Sequence, residues 1–164
     1  MARIIPNQNT WIGFTATAPA SLAAPTQAEI NACTNLTPFV VSLTASSQGN
    51  LLPTPAFDSL FETSIPGTVQ GSFTMDCYRD ETTDTAWTTL PRAQAGYIII
   101  SRFAKSGGTY DSVTKKPGTG APVEVWPIRV SSRSMQAATS NQVQIFQVTA
   151  GVSVEPNENA TVAA

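Results

Sequence analysis

Between residues 72 and 80 the chain reads Ser-Phe-Thr-Met-Asp-Cys-Tyr-Arg-Asp, apolar at every second position. Side chains of an extended strand alternate between two faces, so Phe73, Met75 and Cys77 share one face. Ser72, Thr74, Asp76 and Tyr78 share the other. That period predicts a half-buried strand whose polar face meets water. Residues 95–103 contain Tyr97-Ile98-Ile99-Ile100, apolar on both faces, which predicts a central strand covered on both sides. Two further extended segments are expected at 123–132 and 142–154. Pro127 argues for an edge position or a bulge in the first, and Gly151 for an irregularity in the second. Residues 10–17 and 36–44 add two weaker strands.

Two short helices interrupt this pattern. Thr26-Gln-Ala-Glu29 is a capping box, in which the threonine hydroxyl and the glutamate carboxylate each satisfy the other's amide. Pro25 precedes it, and Ile30 and Cys33 follow on the next turn, so a helix of about two turns is expected. A second is expected over 82–90, with Ala86, Trp87 and Leu90 on one side and Pro91 closing it. Its threonines are weak helix formers, so packing of Trp87 must hold it. Residues 45–55 and 105–121 read as long irregular loops, and such loops tend to be functional or disordered. The ends, about 1–9 and 156–164, read as an extended N-terminal arm and an unpacked C-terminal tail. With no internal repeat and no shift in composition, residues 1–164 are expected to form a single mainly β domain. It would be a compact β domain with long loops and one or two short helices.

Composition narrows the function. Charged residues make up 12% of the chain and the net charge is -2, against about 25% charged in ordinary globular chains. Nucleic acid is gripped by clustered lysine and arginine. The nine basic residues here are scattered, apart from Lys115-Lys116 and the pair Arg129 and Arg133. The neutral surface of Ser, Thr, Asn, Gln and Ala suits a protein that packs against copies of itself, since near-zero charge resists association weakly. With no histidine, the usual Ser-His-Asp and Cys-His arrangements are impossible. Cys33 and Cys77 have no zinc-ligand spacing and are expected to be reduced, mostly buried thiols. No stretch approaches the roughly 18 apolar residues of a spanning helix, and the first residues lack a signal peptide, so the chain is expected to stay in the cytoplasm or assemble there.

Several motifs have a functional and a plain reading. Lys116-Pro-Gly-Thr-Gly120 is glycine-rich but lacks the Gly-Lys-Ser/Thr ending of a phosphate-binding loop, so turn chemistry explains it. Asp80-Glu81-Thr-Thr-Asp84 offers carboxylates without calcium-loop spacing; capping and a negative first turn on the following helix explain it. Asp76 with Glu124 is the one carboxylate pair worth naming for glycoside hydrolysis, and nothing in the sequence places them together. Asn35-Leu-Thr37 and Asn159-Ala-Thr161 match the glycosylation pattern by chance for a cytoplasmic chain.

An ordered set of weak motifs spans nearly the whole chain. It begins with Thr10-Trp-Ile-Gly-Phe14, Ala24-Pro-Thr-Gln-Ala-Glu-Ile30 and Asn35-Leu-Thr-Pro-Phe39. It continues with Ile65-Pro-Gly67, Phe73-Thr-Met-Asp-Cys-Tyr-Arg-Asp80 and Gly96-Tyr-Ile-Ile-Ile100, and closes with Trp126-Pro-Ile-Arg-Val130 and Pro156-Asn-Glu-Asn-Ala160. This set resembles the tail tube (major tail) proteins of long flexible-tailed phages infecting actinobacteria. The resemblance implies a β-sandwich, barrel-like tail-tube fold with a packed helix. It also implies hexameric rings stacked head-to-tail into a hollow virion tail, with inner sheets joined edge to edge around the lumen. The implied partners are further copies of the chain, the tape-measure protein, and the tail terminator and distal tail proteins. DNA passes through without specific binding, and no membrane, metal, cofactor or catalytic residue is implied. Assembly would occur in the host cytoplasm.

Two groups of residues are candidates within that frame. Ser72, Thr74, Asp76 and Tyr78 are candidates for the lumen wall, where a slightly acidic surface repels DNA and a basic one would stall it. By position, the long loops and chain ends match the ring-bridging segments of the family, and they single out Gly49, Asn50, Gly107, Lys115 and Lys116. The competing reading is a carbohydrate- or protein-binding β-sandwich, such as a capsid decoration protein or adhesin. That reading needs an exposed aromatic platform, and the chain has three tryptophans from which to build it.

Overall fold

The structure, a computed structural model, describes residues 10–54, 63–102, 116–137 and 142–164. In chain order the elements are β1 (Trp11–Thr15), α1 (Gln27–Ala32), β2 (Thr34–Asn35), β3 (Val40–Thr54) and β4 (Thr63–Tyr78). They continue with α2 (Thr85–Thr89), β5 (Ala95–Ser101), β6 (Pro122–Met135), β7 (Ile145–Val152) and β8 (Asn157–Thr161). The strands form one antiparallel sheet in the order β2-β1-β5-β6-β7-β4-β3, with β8 also on β6. This is the mainly β architecture with two short helices that the residue patterns predict, in the sandwich-like, barrel-like arrangement that the resemblance implies.

β6 turns the sheet over on itself. Its first half pairs with β5 on one side and β8 on the other, and its second half pairs with β7. A register shift between Val130 and Ser132 marks the bend, as bulges do. Pro127 lies inside this central strand, not at an edge. Its carbonyl accepts from the Ser153 amide, so its missing donor faces the gap where β7 has ended and β8 has not begun. Gly151 pairs regularly with Ser72 and Arg129; the irregularity expected there sits across the ladder in β6.

The folded sheet encloses a core of Phe73, Met75, Cys77, Phe146, Val148, Ile98, Ile100 and Trp126. Ile99 points the other way, into a second cluster with Trp11, Ile30, Cys33, Val123, Val125 and Val162 beneath α1. Ile98, Ile99 and Ile100 are all fully buried, so β5 is covered on both faces. The two cysteines are free, buried, and in different clusters.

α1 begins at the expected box: the Glu29 amide donates to Thr26 Oγ1 at 3.3 Å and the Thr26 amide to Glu29 Oε2 at 2.7 Å. α2 is shorter than expected, and Asp84 at its start has a left-handed backbone and caps nothing with its side chain. Asp80 and Asp84 instead hold the preceding turn: Asp80 accepts from Thr82 and Thr83, and Asp84 accepts the Asp80 amide and pairs with Arg79.

Two segments expected to be irregular are ordered. Residues 45–54 continue β3 in a ladder with β4, because pairing with a partner strand supplies what a polar Gly- and Pro-containing run lacks in local propensity. Pro53 is compatible with this because β3 pairs only with β4 and is an edge strand. The C-terminal tail is not loose: β8 pairs with β6, Ala160 and Val162 are buried, and residues 161–163 hydrogen-bond with Ala23, Pro25 and Gln27. The N-terminal arm lies outside the described residues.

Candidate assembly surfaces

Strands β3, β4, β7 and the second half of β6 present one continuous polar face. Directly opposite residues share a face, so the ladder builds rows: Thr44, Thr74, Thr149 and Ser132; then Ser42, Asp76, Gln147 and Ser134. Ser46 and Ser72 are hydrogen-bonded at 3.0 Å, and Ser131 donates to the Thr149 carbonyl. Asp76 accepts from Ser42 at 2.7 Å, Gln147 at 3.0 Å and Gln136 at 3.2 Å. The four β4 residues Ser72, Thr74, Asp76 and Tyr78 therefore fall together on this face, opposite the buried Phe73, Met75 and Cys77. Exposed Arg129 lies in the row of Gly151 and Ser72. Among the described residues of these rows one acid, Asp76, and one base, Arg129, share the face.

The second surface is an arm. β7 pairs with β4 only from Ser72 onward, so residues 63–71 of β4 pair with β3 alone. From residue 47 to 54 every residue of β3 is exposed. The arm displays Leu51, Leu52, Ile65 and Val69 at 63%, 48%, 52% and 59% exposure. Sequence reasoning named Gly49 and Asn50 here as loop residues; both lie in a strand, beside a register shift between Gly49 and Leu51. It missed the aliphatic residues, although Leu51-Leu52 inside a polar run was the available signal. Of the other bridging candidates, Gly107 and Lys115 lie outside the described residues. Lys116 Nζ donates to the Asn31 carbonyl, which ties it to the end of α1.

β3 is also an open edge, being the end of the strand order. Beside its first residues a cleft of about 320 Å³ opens toward β1, lined by Ile12, Val40, Val41 and Leu43 with Arg102 at its rim. A second register shift, between Val40 and Ser42, makes Val41 the extra residue of the strand.

The remaining candidates are structural. Arg102 makes a two-point ion pair with Glu124, which also accepts from the Trp126 indole. Asp76 and Glu124 thus belong to separate networks, and each is committed to donors. Trp11 and Trp126 are buried. Trp87 stacks edge-on against Phe146 at 5.0 Å, with the guanidinium groups of Arg79 and Arg133 over its ring at 4.2 and 3.8 Å. No exposed tryptophan platform exists. Among the described residues no group of three or more potential metal ligands is found, and no helix is long and apolar enough to cross a membrane.

Comparison with known proteins agrees with this geometry. A family model described as "Phage tail tube protein" matches residues 1–164. No curated protein sequence matches. Among solved structures, the chain is similar to one from the tail of an empty gene transfer agent particle with C6 symmetry. The TM-score is 0.58 and the identity 8%, over 97% of this chain and 100% of that one. It is also similar to a chain of a native gene transfer agent virion, with TM-score 0.55 and 8% identity over 93% and 96% of the two chains. A third, from the six-fold symmetrised anti-feeding prophage baseplate, has TM-score 0.54 and 8% identity over 95% of each.

Proposed function

Because the chain belongs to the phage tail tube protein family, a structural component of virion tails, we propose that it assembles as six-membered rings stacked into a hollow tube. The tube surrounds the tape-measure protein, meets the terminator and distal tail proteins at its ends, and conducts DNA. It is built in the host cytoplasm. The carrying observation is β3, a long edge strand with no partner on its outer side among the described strands, which continues into an arm with exposed aliphatic residues. An open edge of that length invites pairing with another chain, and pairing that is heterologous closes rings or grows filaments.

The polar face is the proposed lumen wall, with Ser72, Thr74, Asp76 and Tyr78 on it. Ser46 and Ser72 bond to each other, and the Asp76 carboxylate accepts from three donors. A wall of that kind offers a polyanion no cluster of cations to bind. The arm, the N-terminal arm and the loop at 105–121 are the proposed ring-to-ring elements. A role as a carbohydrate-binding module gains no support, since the tryptophans are buried or stacked on arginine.

Size-exclusion chromatography and negative-stain microscopy of the purified chain test the proposal. Rings or tubes with sixfold end views are expected. A monomer at every concentration and ionic strength sampled would defeat it.

A further inference from the structure

We infer that the direction in which the arm leaves the body is set by a clamp at its root, made of Val152 packed on Gly71 and Glu158 bonded to Ser47. The use of this clamp in assembly rests on the tube reading; the clamp itself does not.

Ser47 and Gly71 are directly opposite in the β3–β4 ladder, so a single rung carries both contacts. That rung stands where β7 leaves β4, since the last β4–β7 pair is Ser72 with Gly151. Gly71 is two residues before the buried Phe73 and so faces the core side of the strand. Its backbone is not left-handed, so no turn requires a glycine there. Space does: an added Cβ would lie 2.6 Å from Val152 Cβ and 2.7 Å from its Cγ2. A glycine inside a strand marks such a close approach. Val152 is itself held, because it pairs with Ile128 and packs on the core.

The other half of the clamp is polar. Ser47 Oγ donates to Glu158 Oε1 at 2.6 Å, joining residues 111 apart in the chain, and bonds to a carboxylate are among the stronger ones. Glu158 sits in β8, where Asn157 pairs with Val125 and the buried Ala160 with Val123. An apolar contact from β7 and a charged one from β8 therefore meet the same rung from the same side. Further out the body stands back: Val69, on that side of the ribbon, faces clefts of about 400 and 520 Å³ and is 59% exposed. A two-stranded ribbon is marginal in water by itself, so its angle to the body depends on how its root is held. An angle fixed before assembly lowers the ordering cost of every contact the arm then makes.

Spin-label distance measurement on the dilute full chain tests this, with labels on Leu51→Cys in the arm and Ala95→Cys on the exposed side of β5. Burial pushes the native Cys33 and Cys77 thiols up to about 11 and 12, so at neutral pH both stay protonated and unlabelled. One narrow distance distribution is expected for the parent. Ser47→Ala and Glu158→Ala should each broaden it about twofold with unchanged circular dichroism, whereas Glu158→Gln, which keeps an acceptor, should stay close to the parent. Gly71→Ala should shift the distance, and adding Val152→Ala should restore it. Distributions that are the same for the parent, Ser47→Ala and Gly71→Ala would overturn the clamp while the tube reading stands. Broadened distances with parental tube yield would overturn its role in assembly. A parent with a narrow distribution that never forms rings or tubes would overturn the tube reading and leave the clamp in place.

Discussion

Gln147 donates across the β4–β7 ladder to Asp76 at 3.0 Å, and the same carboxylate accepts from Ser42 and Gln136. Asp76 is thus the hub of the polar face rather than a freely solvated acid. On a freely solvated strand face a lysine would cost no more than a surface swap, about 0.5 kcal/mol. Three donors that would lose their acceptor raise the expected cost.

Asp76→Lys should destabilise the protomer by about 1–2 kcal/mol, since each lost hydrogen bond is worth about 1 kcal/mol and water partly replaces it at this half-exposed site. Asp76→Asn, which keeps an acceptor, should cost less than half of that. Urea unfolding of both variants measures the difference; equal stability would mean the three donors contribute nothing. In assembled tails, Asp76→Lys also places a ring of cations at every level of the proposed wall. DNA release at low salt should then slow, and unchanged release from tails of normal length would exclude this face from the lumen.

Gly13 has a packing reason rather than a turn reason. A Cβ built on it would lie 2.3 Å from the Trp11 ring, so the indole covers the backbone of its own strand. Trp11 is fully buried and has no room to retreat. Gly13→Ala should cost about 1–3 kcal/mol through overpacking, read as a drop in thermal midpoint. A variant as stable as the parent would show that the indole can shift.

These positions also show how far the sequence could be read. Alternation at Phe73, Met75 and Cys77 and the run Ile98–Ile100 were legible because burial on one or two faces leaves a periodic trace. The Thr26–Glu29 box was legible because capping is local. The arm was not: Gln48, Gly49, Asn50 and Pro53 prefer loops, and their extended state comes from pairing with residues 63–71. Likewise β8 carries Asn157, Glu158 and Asn159, and only Ala160 and Val162 hint at burial. Of the candidate surfaces, the β4 face followed from period two. The β1–β3 cleft joins residues far apart in sequence and left no local pattern.

Glu29 gives the chain a specific acid sensitivity. The backbone amides of Ala20 and Thr26 donate to its carboxylate and hold its pKa below the ordinary value of 4.5. A lowered folded pKa contributes stability that is present above the unfolded value and lost as pH falls through the folded one. Stability should therefore decline below about pH 4.5, and Glu29→Gln should flatten that part of the decline while lowering stability at pH 7. Unfolding curves between pH 3 and pH 7 make the comparison; parallel pH profiles for the two proteins would assign the acid sensitivity to other carboxylates.

Ile99 tests the two-sided burial of β5. It is fully buried against Trp11, Val123 and Val125 in the cluster beneath α1. Its neighbours in that cluster are apolar side chains, so Ile99→Asp combines the loss of a core side chain with a charge buried among hydrocarbon. The expected penalty exceeds about 4 kcal/mol, a large share of the roughly 5–15 kcal/mol that holds a domain folded. Insoluble expression, or a chain that lacks a cooperative unfolding transition, is the expected result. Ile99→Val provides the control at about 1 kcal/mol and should remain folded. A soluble, cooperatively folded Ile99→Asp would mean that α1 and the C-terminal strand do not seal this side of the sheet.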